Sequence, residues 1–187
     1  MIYQLQTVTP PVEKPILLDD AKLHLRVDGT EEDALIQRLI DAAIEETEKK
    51  WLWRALCTRS LRLTNIWGSG MGPVQVINLP MAPVQSVSLF KVDDVAVTGY
   101  TLFGEAAVLY LDTPRSATKS MVVEYVAGYG TAAAVPANFK AAMLLMIGHW
   151  FENREAVTLG SPAYEIPLTV QHLLLPFRAW RPVDGVR

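Results

Sequence analysis

His149 and Glu152 stand at i and i+3 on one face of a predicted helix, half of a carboxylate-bridged metal site. The full site needs a second Glu/His pair and two further carboxylates on facing helices. Glu45 and Glu48 lie on another predicted helix but bring no histidine with them. His149 is therefore read as a histidine near a helix C-terminus, where the partial negative charge favours it. Cys57 has Arg54 and Arg59 nearby, which would favour its thiolate. A cysteine nucleophile also wants a base and an orienting group, and no spacing supplies them. Acid pairs such as Asp19-Asp20 and Asp93-Asp94 fit no calcium-loop spacing and read as cap and turn. Gly68-Ser69-Gly70-Met71-Gly72 would suit a dinucleotide only between a strand and a helix. Here Pro73 and a further strand follow, so it reads as a hairpin tip. No Gly-Lys-Ser/Thr and no Gly-x-Ser-x-Gly occurs. The chain reads as a non-enzyme, and no cofactor or metal is expected.

The tryptophans say more. Trp51 and Trp150 fall on core faces of their predicted helices. Trp53 and Trp180 stand at element ends beside Arg54, Arg178 and Arg181. Tryptophan with arginine is what protein interfaces use as anchors. From Gln171 to Arg187 the chain carries three Arg against one Asp, and Leu173, Leu174, Leu175 and Phe177 make it apolar as well. Such a segment is hard to bury fully in its own domain, and docking on a partner stands level with simple packing on the helix pair.

Positioning these residues requires three territories. Residues 1–15 form a lead-in with Pro10, Pro11 and Pro15, which suit neither helix nor central strand. A short helix is expected over about 19–26, with Asp19 as N-cap and Ala21, Leu23, Leu25 and Val27 as its apolar side. A long one follows over about 31–54, capped by Thr30 with Asp33 at the capping-box position. Leu35, Ile36, Leu39, Ile40, Ala43, Ile44, Thr47 and Trp51 give it a helical period. Residues 58–128 alternate short β-branched runs with turn residues, predicting strands at 61–67, 74–79, 84–92, 95–97, 108–111 and 121–127. Pro80 and Pro83 flank a corner and Asp93-Asp94 marks a tight turn. A second long helix is expected over about 136–154 and a last short one over about 168–180. The fold class is α+β: an α-helical bundle with a small antiparallel β-sheet region inserted at about 58–128.

Composition sets the outer limits. Half the residues are hydrophobic and 20% are charged, which excludes a disordered chain and a coiled coil. The net charge of −3 provides no basic field for nucleic acid. The longest strongly apolar stretch, Ala141 to Gly148, is far shorter than the ~20 residues of a membrane span. The opening MIYQLQTVTPPVEKP lacks the layout of a signal peptide. A soluble intracellular globular protein is expected.

Several segments in order resemble a known family. They are Pro15 to Arg26, Leu35 to Ala43, Leu79 to Val87, Val123 to Gly130, Val135-Pro136, His149-Trp150-Phe151-Glu152-Asn153-Arg154-Glu155, and Leu173-Leu174-Leu175-Pro176-Phe177-Arg178. Over about residues 15–181 the chain resembles the head–tail connector (adaptor, head-completion) proteins of long-tailed phages and prophages. The resemblance implies one connector domain over 1–187 with a β-rich insertion at 58–128 and a C-terminal docking segment at 167–187. It implies a structural role in the virion neck after assembly in the host cytoplasm. Subunits would form a ring under the portal, with twelvefold symmetry expected. The ring would extend the DNA channel, touch passing double-stranded DNA without sequence specificity, and meet the next neck or tail protein. Leu173, Leu174, Phe177, Arg178, Trp180 and Arg181 are then the portal-docking candidates. Ser69, Gly70 and Met71 are candidates for a neighbour or the tail side. Glu45, Glu48, Arg59 and Arg62 are inter-subunit candidates. The alternative is another neck protein, a stopper or tail terminator; a small metal enzyme using His149 and Glu152 ranks below it.

Overall fold

The computed structural model describes residues 2–66, 73–115, 120–153 and 168–179. They fall into two compact units. One holds the described residues of 1–13 and 53–130 with Ala179; the other holds those of 14–52 and 131–178.

The first unit is built of strands. β1 (Ile2–Thr9), β2 (Arg59–Ile66), β4 (Val84–Val92), β5 (Val95–Ala96) and β8 (Ser120–Ala127) form a five-stranded antiparallel sheet in the order β1-β2-β8-β4-β5. β3 (Val74–Asn78), β6 (Tyr100–Phe103) and β7 (Val108–Arg115) form a three-stranded one in the order β3-β7-β6. β8 shows why it lies at the centre. Met121, Val123, Tyr125 and Ala127 are buried, and the residues between them are half-buried, an alternation that puts one face into a core. Leu61 and Leu63 of β2, Phe90 and Val92 of β4, Ile77 of β3, and Leu109 and Leu111 of β7 meet them there. The Tyr125 hydroxyl crosses this core and donates to the Pro80 carbonyl at 2.8 Å.

Turn chemistry joins the strands. Asp93 and Asp94 both have positive φ, 50° and 66°, the left-handed pair a two-residue hairpin needs. Asp93 Oδ1 also accepts from the Ser120 amide at 3.0 Å, tying the hairpin to the start of β8. The corner from Leu79 to Pro83 carries chain from one sheet to the other; Met81 there is left-handed and the Ala82–Pro83 peptide is cis. The Ala55 amide donates to the Ala82 carbonyl at 3.1 Å.

The second unit is helical. α1 is Leu18–Leu25, α2 Asp33–Glu46, α3 Ala137–Glu152 and α4 Leu168–Leu174. α3 packs against α1, α2 and α4. Phe139, Ala142, Met143, Met146 and Ile147 are its buried side, met by Ile36, Ile40 and Ala43 of α2 and by Val170 and Leu174 of α4. Lys22 of α1 reaches Asp33 of α2 at 2.7 Å with both side chains largely covered.

The expected helical bundle with a small inserted sheet is overturned. Among the described residues there are eight strands in two sheets and four α-helices, with helix and strand about equal in amount. The six strands expected within 58–128 form, but two more join them. β6 pairs with β7, and β1 comes from the supposed lead-in, whose prolines at 10 and 11 end a strand rather than forbid one. α1 has the expected length, and α2, α3 and α4 are shorter than expected. α2 begins at Asp33, whose carboxylate is taken by Lys22, and Thr30 contributes its carbonyl, not its hydroxyl, to the Asp33 amide. Beyond Glu46 the helix widens into a π turn through Leu52. α1 starts after Leu17, with Asp20 rather than Asp19 accepting from the Leu17 amide. α4 gives way at Leu175 to one tight turn, because Pro176 has no amide to continue it.

Candidate functional site

The residues that could do chemistry are placed as ordinary structure. His149 lies in the last turn of α3, half-buried, and its carbonyl accepts from the Asn153 amide at 3.1 Å and side chain at 2.8 Å. Glu152 is exposed. Among the described residues no group of three or more His, Cys, Asp or Glu is placed to hold a metal ion. Cys57 is buried, with its carbonyl 3.5 Å from Arg59 Nε.

The charged inter-subunit candidates are engaged within the protomer. Glu45 pairs with Lys49 at 2.6 Å, one turn along. Arg62 pairs with Glu124 at 2.6 Å across the β2–β8 ladder, where the two residues face each other in register. Glu48 is buried in the π turn. Such pairs on an exposed face contribute about 0–1 kcal/mol each, so they remain open to exchange for a partner's charges.

In the C-terminal segment, α4 turns Val170 and Leu174 inward and leaves Leu173 half-buried, its carbonyl accepting from Asn138 Nδ2 at 3.3 Å. Leu168, Leu175 and Phe177 remain 70%, 46% and 45% exposed. One edge of Phe177 meets Phe139 at 5.4 Å between ring centres. Arg178 is exposed beside it. Of the six docking candidates Leu174 is therefore core, and Phe177 and Arg178 face outward. Trp180, Arg181, Ser69, Gly70 and Met71 lie outside the described residues.

Three further surfaces escaped the sequence reading. On the outer face of the small sheet, Val76 and Tyr110 are paired neighbours and both exposed, with exposed Phe103 opposite Val108 one step away. An open groove of about 510 Å³ runs past Ile16, Asp20, Leu23, His24, Lys140 and Leu144. Leu23 stands 81% exposed at its rim. The apolar set Ala21, Leu23, Leu25 and Val27 has a spacing of two, and two residues along a helix turn the direction by about 200°. Burying Ala21 therefore exposes Leu23. The third surface is the outer edge of β1, an eight-residue strand at the border of its sheet, which among the described residues pairs with β2 alone.

One polar cluster is internal to the strand unit. Arg54 Nη1 donates to the Tyr129 hydroxyl at 3.2 Å and lies 3.9 Å from Glu105. Burial lifts the Tyr129 hydroxyl above its ordinary pKa near 10; the Arg54 charge pulls the other way, Glu105 adds to the rise, and the Arg54 hydrogen bond opposes it.

Solved structures share this fold. The chain resembles one in the neck of an empty gene transfer agent (GTA) particle computed with C6 symmetry, at 23% identity and a TM-score of 0.75, covering 97% of this chain and 98% of that one. A chain of the virion of the native gene transfer agent particle matches at 24% identity, a TM-score of 0.75 and the same coverage. One from the neck of the native GTA particle computed with C12 symmetry matches at 21% identity and a TM-score of 0.67, again covering 97% and 98%. At these identities the likeness establishes the fold. No curated protein matches. The model of the phage gp6-like head-tail connector proteins matches residues 15–178, and the chain belongs to that family, whose members are structural proteins of the head–tail junction.

Proposed function

We propose that this protein is a non-catalytic adaptor that assembles as a ring under the portal, extends the DNA channel and joins the head to the next neck or tail protein. The family match over residues 15–178 carries this reading. That similarly folded chains stand in particle necks treated with C6 and C12 symmetry supports a ring, and the C12 case suits the twelve copies expected. The net charge of −3 suits a channel wall, since phosphate binding is driven by Lys and Arg and passing DNA must not be held.

The C-terminal segment docks on the portal. Phe177 and Arg178 supply its exposed ring and charge, Leu173 its half-buried flank, and buried Leu174 anchors it to its own unit. Trp180 and Arg181 take part in the same docking. Ser69, Gly70 and Met71 contact a neighbour or the tail side. Glu45, Arg59 and Arg62 exchange their internal partners for charges of the adjacent copy.

Light scattering of the purified chain, alone and with the portal protein encoded beside it, tests the proposal. A ring, or a complex with one adaptor per portal subunit, is the expected result. A monomer that ignores the portal overturns it. Alanine at Phe177 and Arg178 together should abolish portal binding while far-UV circular dichroism stays unchanged. Unaltered binding removes the docking assignment and leaves the ring.

A further inference from the structure

A sheet edge presents a row of unpaired backbone N–H and C=O groups, and folded chains blunt it with shortness, charge, proline or cover. The two sheets end in β1, β5, β3 and β6. β5 is two residues long, β6 four and β3 five. β1 is eight residues, Ile-Tyr-Gln-Leu-Gln-Thr-Val-Thr, with no charged residue and no proline. At ~3.3 Å per residue it offers about 26 Å of backbone. Among the described residues its ladder is to β2 alone, which occupies one side of the strand. Gln4, Gln6 and Val8 are exposed along it. Three edges are thus too short to accept much; the long one carries no charge and no proline, and its one irregularity is the register shift between Thr7 and Thr9.

We propose that β1 accepts an added strand, and that this strand is an extended segment of a second copy of the chain, making the β1 edge one half of the subunit–subunit interface. The inference rests on the ring reading and names a contact that would hold the ring together. Closed rings beyond a dimer are built from heterologous contacts whose two halves differ. The β1 contact meets that need, since a sheet edge on one copy takes an extended segment, not another β1, of the next. Each copy carries a net charge of −3, so a contact free of charged side chains buries no charge on top of the repulsion between copies, and Ile2–Thr9 has no charged residue. Main-chain hydrogen bonds supply the affinity of strand addition, and the apolar and amide side chains flanking the edge set its register.

The test compares the full chain with the double variant Gln4→Lys/Gln6→Lys, which places charges on the edge as protected strands do. Light scattering is measured alone and with the portal protein encoded beside it, with urea unfolding as the check on folding. The wild type assembles and the variant stays monomeric with the same unfolding midpoint. Amide hydrogens of residues 2–9 in the wild type exchange about tenfold slower in the assembly than after dissociation. A variant that assembles as the wild type does, or β1 amides that exchange equally in both states, overturns the β1 assignment and leaves the ring reading intact. A wild type that assembles under neither condition overturns the ring reading and this inference with it. Should the variant fail to fold, the exchange measurement on the wild type decides alone.

Discussion

At Gly128 a single methyl group is enough to disturb the end of β8. Its φ is +123°, and a Cβ there would lie 2.6 Å from the Cys57 carbonyl carbon and oxygen. The backbone cannot retreat, because the Gly128 amide donates to Pro83 and its carbonyl accepts from Gln85 Nε2. Gly128→Ala should cost about 3 kcal/mol or more, read as a lower urea midpoint with unchanged slope. Tyr129, next along, makes stability pH-dependent. Burial keeps its hydroxyl protonated to higher pH in the folded chain than in the unfolded one, despite the neighbouring Arg54. The unfolded chain therefore loses this proton first as pH rises. The contribution is fully present below the ordinary value near 10 and is lost as pH climbs through the raised folded value. Unfolding free energy should fall above about pH 10, and Tyr129→Phe should reduce that fall. A wild type and variant with identical alkaline profiles would remove Tyr129 from the explanation.

At the scale of elements, the pairing of Phe177 with Phe139 joins the last turn to α3. Phe177→Ala should lower stability by about 1 kcal/mol, because an edge-on ring pair with one half-exposed partner adds little beyond its area. Thermal unfolding of that variant separates a packing loss from a docking loss. A drop large enough to unfold the helical unit would show that Phe177 belongs to the core. The elements themselves were legible where pattern and burial agree. α3 and β8 display their periods openly, and six strands were read from β-branched runs between turn residues. β1 was not, since Gln4, Gln6 and Thr7 dilute its apolar alternation and the prolines after it drew attention to the break. β6, four residues beside Gly99 and Gly104, is too short to show a period. Of the proposed surfaces, the apolar-basic character of the C-terminal segment was visible in composition. Exposed Leu23, the Val76–Tyr110 pair and the open edge of β1 were not, because each depends on which face or side the tertiary structure leaves bare.

For the molecule as a whole, each copy's charge of −3 works against assembly; the exposed ion pairs proposed for Glu45, Arg59 and Arg62 return only about 0–1 kcal/mol each, and the main-chain contacts of β1 carry the rest. Raising salt from about 0.02 to 0.2 M should leave the assembled fraction unchanged or increase it, since screening weakens repulsion between copies. Dissociation by salt would instead mean that ion pairs such as those open to Glu45 and Arg62 hold the copies together. One consequence follows from the path of the chain. β1 leaves the ribosome well before its partner, which begins at Arg59, after the whole of α1, α2 and the π turn. For some fifty residues of synthesis the opening strand has no ladder to join, and long-range pairings of this kind are slow and open to capture by other chains. During synthesis, then, the uncharged edge proposed to bind a neighbour is exposed on both sides, and nascent chains on one message carry identical copies of it close together.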